Sequence, residues 1–194
     1  MNLLRRFCFI AMPITLCVTL LPASVRAQVV PAGFESNHAV WVGGECSIYS
    51  ASFPYESGQR VDGCGAFANL RWAPHFDVEG DARWLAFGGF AGSTESSYLA
   101  GPRYIFSRFG KFQPYAKFLI GEGAIHYPYQ IGNRTYFALA PGGGLNYRIA
   151  SRLTLRAEYE YQIWPNSPGF ANEPDHPLKP NGFNFGVAYE ILHF

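Results

Sequence analysis

The stretch RLTLRAEYEYQIW, residues 152–164, alternates without a break. Leu153, Leu155, Ala157, Tyr159, Tyr161 and Ile163 fall on one side of an extended chain, and Thr154, Arg156, Glu158, Glu160 and Gln162 on the other. A period of two defines a β-strand with one apolar and one charged face. Such a strand has two solutions. In a soluble protein the apolar face looks inward and the charges meet water. In a membrane barrel the apolar face meets lipid and the charges are enclosed. The segment by itself admits both.

The start of the chain bears on the compartment. Arg5 and Arg6 precede an apolar run from Phe7 to Leu21, Pro22 ends it, and Val25 and Ala27 occupy the −3 and −1 positions of a cleavage site. This pattern predicts a secretory signal peptide over 1–27, cut before Gln28. The run, about 15 residues, is shorter than the roughly 20 that a spanning helix needs. Cys17 has no lipobox context. After Pro31, Gly and Pro punctuate every apolar stretch, so no transmembrane helix is predicted. The expected organisation is a signal peptide over 1–27, a short segment over 28–37 and one domain over 38–194. Loss of Arg5, Arg6 and Arg26 would move the formal charge from +1 to about −2, which gives no basis for nucleic-acid binding.

Eight strand candidates follow: 39–46, 64–73, 76–87, 97–107, 112–125, 135–149, 152–164 and 182–193. Most exceed the usual globular strand and suit a tilted crossing of a bilayer. Pro74-His75, 108–111 and Ala150-Ser151 read as short connections. Segments 47–63, 88–96, 127–134 and 165–181 read as long ones. Alternating short and long connections are those of an up-and-down barrel with short periplasmic turns and long external loops. The predicted fold is all-β, an eight-stranded antiparallel up-and-down transmembrane β-barrel.

In the candidates 64–73, 76–87, 97–107, 135–149 and 152–164 the charges lie opposite in parity to the apolar residues, and apolar faces carry rings near their ends: Trp72, Phe76, Trp84, Phe106, Tyr147 and Phe183. Aromatics at both ends of an apolar band are what bilayer interfaces favour. The expectation is therefore lipid outside and charges inside. An eight-stranded interior is just wide enough for side chains, and enclosed charges must pair. The expected lumen network is Glu45, Arg71, Asp77, Glu79, Asp81, Arg83, Arg103, Lys117, Arg148, Arg156, Glu158, Glu160 and Glu190.

Near the end, Asn184-x-Gly186-x-x-Tyr189-x-Ile191 is similar to the signal that outer-membrane barrels present to their assembly machinery, and the terminal Phe194 is also family-like. Together with GPRYIF (101–106), PYAKFLIGEG (114–123), APGGGLNYR (140–148) and LTLRAEYEYQ (153–162), the chain resembles the porin-like outer-membrane β-barrel domain family, relatives in shape of the OmpA and OmpX barrels. The resemblance implies an eight-stranded barrel in a Gram-negative outer membrane, with lipid, lipopolysaccharide and the barrel-assembly machinery as partners. It implies no single activity: members serve as anchors, adhesins, small-solute channels or surface proteins.

Cys8 and Cys17 would leave with the signal. Cys46 and Cys64 face each other if residue 42 pairs with 68 and 40 with 70; they then either form a disulfide, worth about 3 kcal/mol in the chain-entropy picture, or stay free thiols. His38, His75, His126, His176 and His193 lack a second ligand at metal spacing, so no metal or cofactor is expected. Gly142-Gly143-Gly144 has no following Lys-Ser/Thr and reads as a strand that bends or leaves room for a neighbouring ring. No nucleophile–base pair stands out and no enzyme is expected. The leading reading is a small outer-membrane barrel with a structural or surface-interaction role, and it leaves open a narrow porin-like channel for small solutes. The alternatives are a secreted lipocalin-like barrel around an apolar ligand and a lipid-A-modifying barrel enzyme using His126 or His176 with Ser167.

Overall fold

The computed structural model describes residues 38–53, 56–87, 93–126, 134–165 and 178–193. Eight strands form: β1 (Ala39–Phe53), β2 (Glu56–Ala73), β3 (Phe76–Phe87), β4 (Thr94–Ile105), β5 (Phe112–His126), β6 (Arg134–Arg148), β7 (Leu153–Tyr161) and β8 (Asn181–His193). Each pairs antiparallel with its sequence neighbour, and β8 pairs with β1, closing the barrel. Closure leaves no sheet edge, which is the condition for a sheet to cross a membrane.

The two faces separate as the alternation demands. On β8, Phe183, Phe185, Val187, Tyr189 and Ile191 point outward and are exposed, while Asn184 is fully buried inside. On β3, Phe76, Val78 and Trp84 are exposed and Asp77, Glu79, Asp81 and Arg83 are buried. This is the inverse of a soluble ligand-binding barrel. Outward rings gather at the two ends of the apolar band. Phe76, Tyr104 and Phe106 interlock edge to face at 5.1 and 5.0 Å between centroids, near the end that holds the start of β1 and the close of β8. Toward the other end, Trp84 meets Tyr98 edge to face at 6.0 Å and donates its indole N–H to the Tyr98 hydroxyl at 3.2 Å. Tyr159 meets Phe183 at 5.2 Å. Rings with a polar tip suit the two interfaces of a bilayer.

The connections differ from the sequence expectation. Residues 47–63 are not a long loop: β1 runs to Phe53, β2 starts at Glu56, and the strands pair through Ser47↔Gly63, Ile48↔Asp62 and Tyr49↔Val61. Tyr49, Val61 and Leu85 form a buried cluster that continues the wall. Small and polar residues concealed this strand, because backbone pairing does not require an apolar outer face. The strict alternation of long and short connections is lost as well: 54–55 is as short as 74–75, and 106–111 matches 88–93. Strand β7 ends at Tyr161, after which Ile163 and Trp164 make single bridges to Leu139 and Leu178.

Cys46 and Cys64 are opposed in register. Both are exposed on the outer face as free thiols, so the disulfide considered from sequence is not formed.

Phe185 faces outward on β8, one outward position inside Phe183, on which it stacks at 6.4 Å, and is 54 % exposed. Phe185→Arg should therefore cost roughly 2–4 kcal/mol in a bilayer. Urea titration in lipid vesicles checks this; an unchanged midpoint would mean that this face does not meet lipid.

Candidate functional site

The lumen is filled from wall to wall by charged side chains. Strands β3 and β7 are four apart in a ring of eight, so they face each other across the barrel. Two ion pairs span that diameter. Arg83 of β3 donates to both carboxylate oxygens of Glu160 on β7 at 2.7 and 2.9 Å. Arg156 of β7 donates to both oxygens of Glu79 on β3 at 2.7 and 3.0 Å. Between them, Lys117 of β5 holds Glu79, Glu158 and Glu160 at 3.0, 2.6 and 2.7 Å. Arg156 meets Glu79 with two nitrogens, the two-pronged geometry that makes a strong pair, whereas Arg83 reaches both oxygens of Glu160 from Nη2 alone.

Neighbours complete each layer. Arg83 also donates to Asp81 at 2.6 Å and to the Tyr49 hydroxyl, and it lies 3.4 Å from Glu45. Asn184 donates to Tyr49 and Glu158. Arg156 stacks on the Phe67 ring at 4.2 Å and contacts Glu158. Tyr115 donates to Glu158 at 2.7 Å. Below, Arg103 lies 3.6 Å over the Tyr115 ring and donates to Asn146, while Arg71 pairs with Asp77 at 2.9 Å. With its amide turned so that nitrogen faces Glu79 and oxygen faces Arg103, Asn69 donates to Glu79 at 2.8 Å and accepts from Arg103 at 2.9 Å. The far end closes with an apolar lid of Leu99, Leu119, Ile125, Ala138, Ala140, Trp164 and Leu178. Gln162 ties lid to network: it donates to Glu160 at 2.9 Å and accepts from Trp164 at 2.8 Å.

Glycines make room for these side chains. Gly142 pairs with Lys117 and Gly144 with Tyr115. A Cβ on Gly144 would lie 2.7 Å from the Tyr115 hydroxyl, and one on Gly142 would lie 3.2 Å from Lys117 Cε. The Gly142–Gly144 run leaves space for crossing side chains.

The sequence set is brought together unevenly. Glu45, Asp77, Glu79, Asp81, Arg83, Arg103, Lys117, Arg156, Glu158 and Glu160 are buried in the lumen, and Arg71 is half-buried at its lower end. Two residues fall outside it. Arg148 is exposed at the rim, where it donates to the carbonyls of Ala150 and Ser151, because it is the last residue of β6. Glu190 sits at the same mouth beside His193 at 3.3 Å. Asn184, read from sequence only as part of an assembly signal, is a lumen residue, whereas Tyr189 and Ile191 face outward. Ser167, His176 and Phe194 lie outside the described residues. Tyr49, Glu95, Tyr115, Gln162 and Trp164 were missed. Continued parity from Glu45 and from Glu160 reaches Tyr49, Gln162 and Trp164. Glu95 was hidden in a presumed loop; it is fully enclosed and its carboxylate oxygens have no hydrogen bond. Among the described residues no group of three or more His, Cys, Asp or Glu could hold a metal ion.

Closed topology, an apolar exterior and an ion-paired interior define a transmembrane β-barrel. The family model for the outer membrane protein β-barrel domain matches residues 14–190, and the chain belongs to that family. Neisserial surface protein A shares the fold with a TM-score of 0.61 at 15 % identity, over 80 % of this chain and 97 % of that one. Ail, the attachment invasion locus protein of Yersinia pestis, matches at 0.55 and 15 % identity, over 80 % and 99 %. OprG of Pseudomonas aeruginosa matches at 0.54 and 13 % identity, over 84 % and 99 %. No curated protein matches the sequence.

Arg156→Ala would take the two-pronged partner from Glu79 and one of two cations from Glu158, leaving Lys117 as the close cation between them. It should destabilise the barrel by about 3–5 kcal/mol, as removal of one partner from a buried pair does. Arg60→Ala breaks the exposed pair with Asp62 and should leave the urea midpoint unchanged. Equal midpoints for both variants would show that Arg156 meets water. A second pair of variants tests the lid. A Cβ on Gly123 would fall 2.2 Å from the Trp164 ring, whereas none lies within 4 Å of one on Gly80. Gly123→Ala should cost about 1–3 kcal/mol by overpacking, and Gly80→Ala should be tolerated, both read by the same titration.

Proposed function

We propose that this protein is a non-conducting outer-membrane barrel whose role is exerted at its surfaces: it anchors in the membrane and presents its external end for contact. The observation that carries this reading is the double crossing of the lumen by Arg83–Glu160 and Arg156–Glu79, capped by the Trp164 lid. An ion path would have to break charge-assisted hydrogen bonds in a low-dielectric interior, where each stranded charge is costly. A structural or surface-interaction role therefore fits better than a porin-like one. The outward rings fit contact with lipid and lipopolysaccharide. The Asn184–Ile191 pattern fits docking to the barrel-assembly machinery. No catalytic role is proposed, since the buried carboxylates are engaged with cations or enclosed rather than poised against a nucleophile.

The test is conductance. Refolded protein inserted in a planar bilayer should give no stable single-channel steps at moderate voltage. Reproducible ohmic steps that grow in a Glu160→Gln variant would contradict the reading and restore the channel.

A further inference from the structure

The lower lumen opens into a cavity of about 260 Å³ at the mouth formed by the start of β1, the close of β8 and the turns after β2, β4 and β6. In an up-and-down barrel with both termini on one side, this is the periplasmic mouth. Its lining is unbalanced. Arg71, Arg103, Arg108, Lys111 and Arg148 face it, against Asp77 and Glu190. Both carboxylates are engaged, Asp77 by Arg71 at 2.9 Å and by Arg103 at 3.8 Å, and Glu190 by His193 at 3.3 Å. Among the described residues no carboxylate lies within ion-pair distance of Arg108, Lys111 or Arg148.

Three of these cations are also held in place. Arg148 is braced by the carbonyls of Ala150 and Ser151 at 3.4 and 2.6 Å. Arg71 lies 4.7 Å over the Trp41 ring. Arg103 is 2 % exposed, clamped over Tyr115, and its Nε–H is buried with no acceptor. Arg108 stands in the β4–β5 turn, where partial burial and then the like charges of Arg148 and Arg71 hold it below the ordinary arginine range. Like charges gathered around a cavity, with a buried donor unmet, are a site that lacks its counter-ion. Guanidinium groups present planar pairs of N–H donors that match phosphate oxygens, and a concave mouth with low-dielectric walls focuses their field.

We propose that the periplasmic mouth of this barrel is a binding site for a small phosphate-type oxyanion, held by Arg71, Arg103, Arg108, Lys111 and Arg148. The volume suits one phosphate or pyrophosphate group with a few waters, each of which takes about 30 Å³. The anion sits beneath the ion-pair network, so the site does not depend on whether the barrel conducts. The phosphate has two sources, a free anion of the periplasm or the headgroup of an inner-leaflet phospholipid.

The full chain, refolded in zwitterionic detergent, is titrated calorimetrically with sodium pyrophosphate at low salt. The expected result is saturable one-site binding that weakens as salt is raised. In the Arg108→Gln/Arg148→Gln double variant the affinity should fall about tenfold or more, since two charge-assisted contacts are removed. Arg134→Gln and Lys179→Gln, exposed at the opposite end, should bind as the parent does. Heat-dependent gel mobility verifies that each variant is folded. Absence of saturable heat in the parent overturns the proposal, and so does equal loss in the opposite-end variants, which would mark diffuse attraction. Repetition in nanodiscs separates the sources. Equal affinity in phosphatidylcholine and phosphatidylglycerol discs assigns the site to a free anion. Weaker pyrophosphate binding in phosphatidylglycerol, absent in the double variant, assigns it to the lipid headgroup.

Discussion

Enclosure of charge is the constraint on which this structure depends. Each carboxylate or guanidinium removed from water costs several kcal/mol, and only close, well-oriented partners offset it. An eight-stranded barrel has room for one layer of side chains across its diameter. Arg83 therefore reaches Glu160 on the opposite wall, and Arg156 reaches Glu79. Such pairs act as crossbars. They couple β3 to β7, which share no backbone ladder, while the ladders bind only neighbours. Placement of Lys117 between three carboxylates joins the two crossbars into one unit.

The same constraint orders the rest of the lumen. Long cations need space beside them, and Gly142 and Gly144 supply it next to Lys117 and Tyr115. The network must also be shielded at the end opposite the mouth, where Gln162 donates to Glu160 and accepts from Trp164 and the apolar lid begins. At the end that holds the start of β1 and the close of β8, no such apolar cluster forms among the described residues. The network opens there into a mouth whose uncompensated charges are positive. The two ends of one filled cylinder thus differ in chemistry among the described residues: an apolar cluster with the enclosed Glu95 at one, a basic mouth at the other.

Much of this was legible in the sequence. Alternation in segments such as 153–163 gave strand, face and the inward direction of Arg156, Glu158 and Glu160, because a strand has a side-chain period of two. The same parity allowed Cys46 to face Cys64 but also allowed a slip by two residues; the structure selects the facing register. What parity does not carry is distance across the barrel. Nothing in a one-dimensional pattern pairs Arg83 with Glu160 rather than with a closer carboxylate. Strand ends were also hidden. Residues 47–63 are rich in Ser and Gly and read as loop, yet their backbone pairing extends the wall to Phe53 and brings Tyr49 inward. Arg148 had lumen parity and still lies at the rim, since parity gives a side and not a depth.

The crossbar is the central claim, and a double-mutant cycle between Arg83 and Glu160 tests it most directly. Stability in urea is measured for the parent, Arg83→Met, Glu160→Gln and the double variant. Residues in direct contact in one network couple by about 0.5–3 kcal/mol, and this account predicts a value in the upper part of that range. Additivity within about 0.3–0.5 kcal/mol would contradict it, because the two charges would then answer to water and not to each other across the lumen.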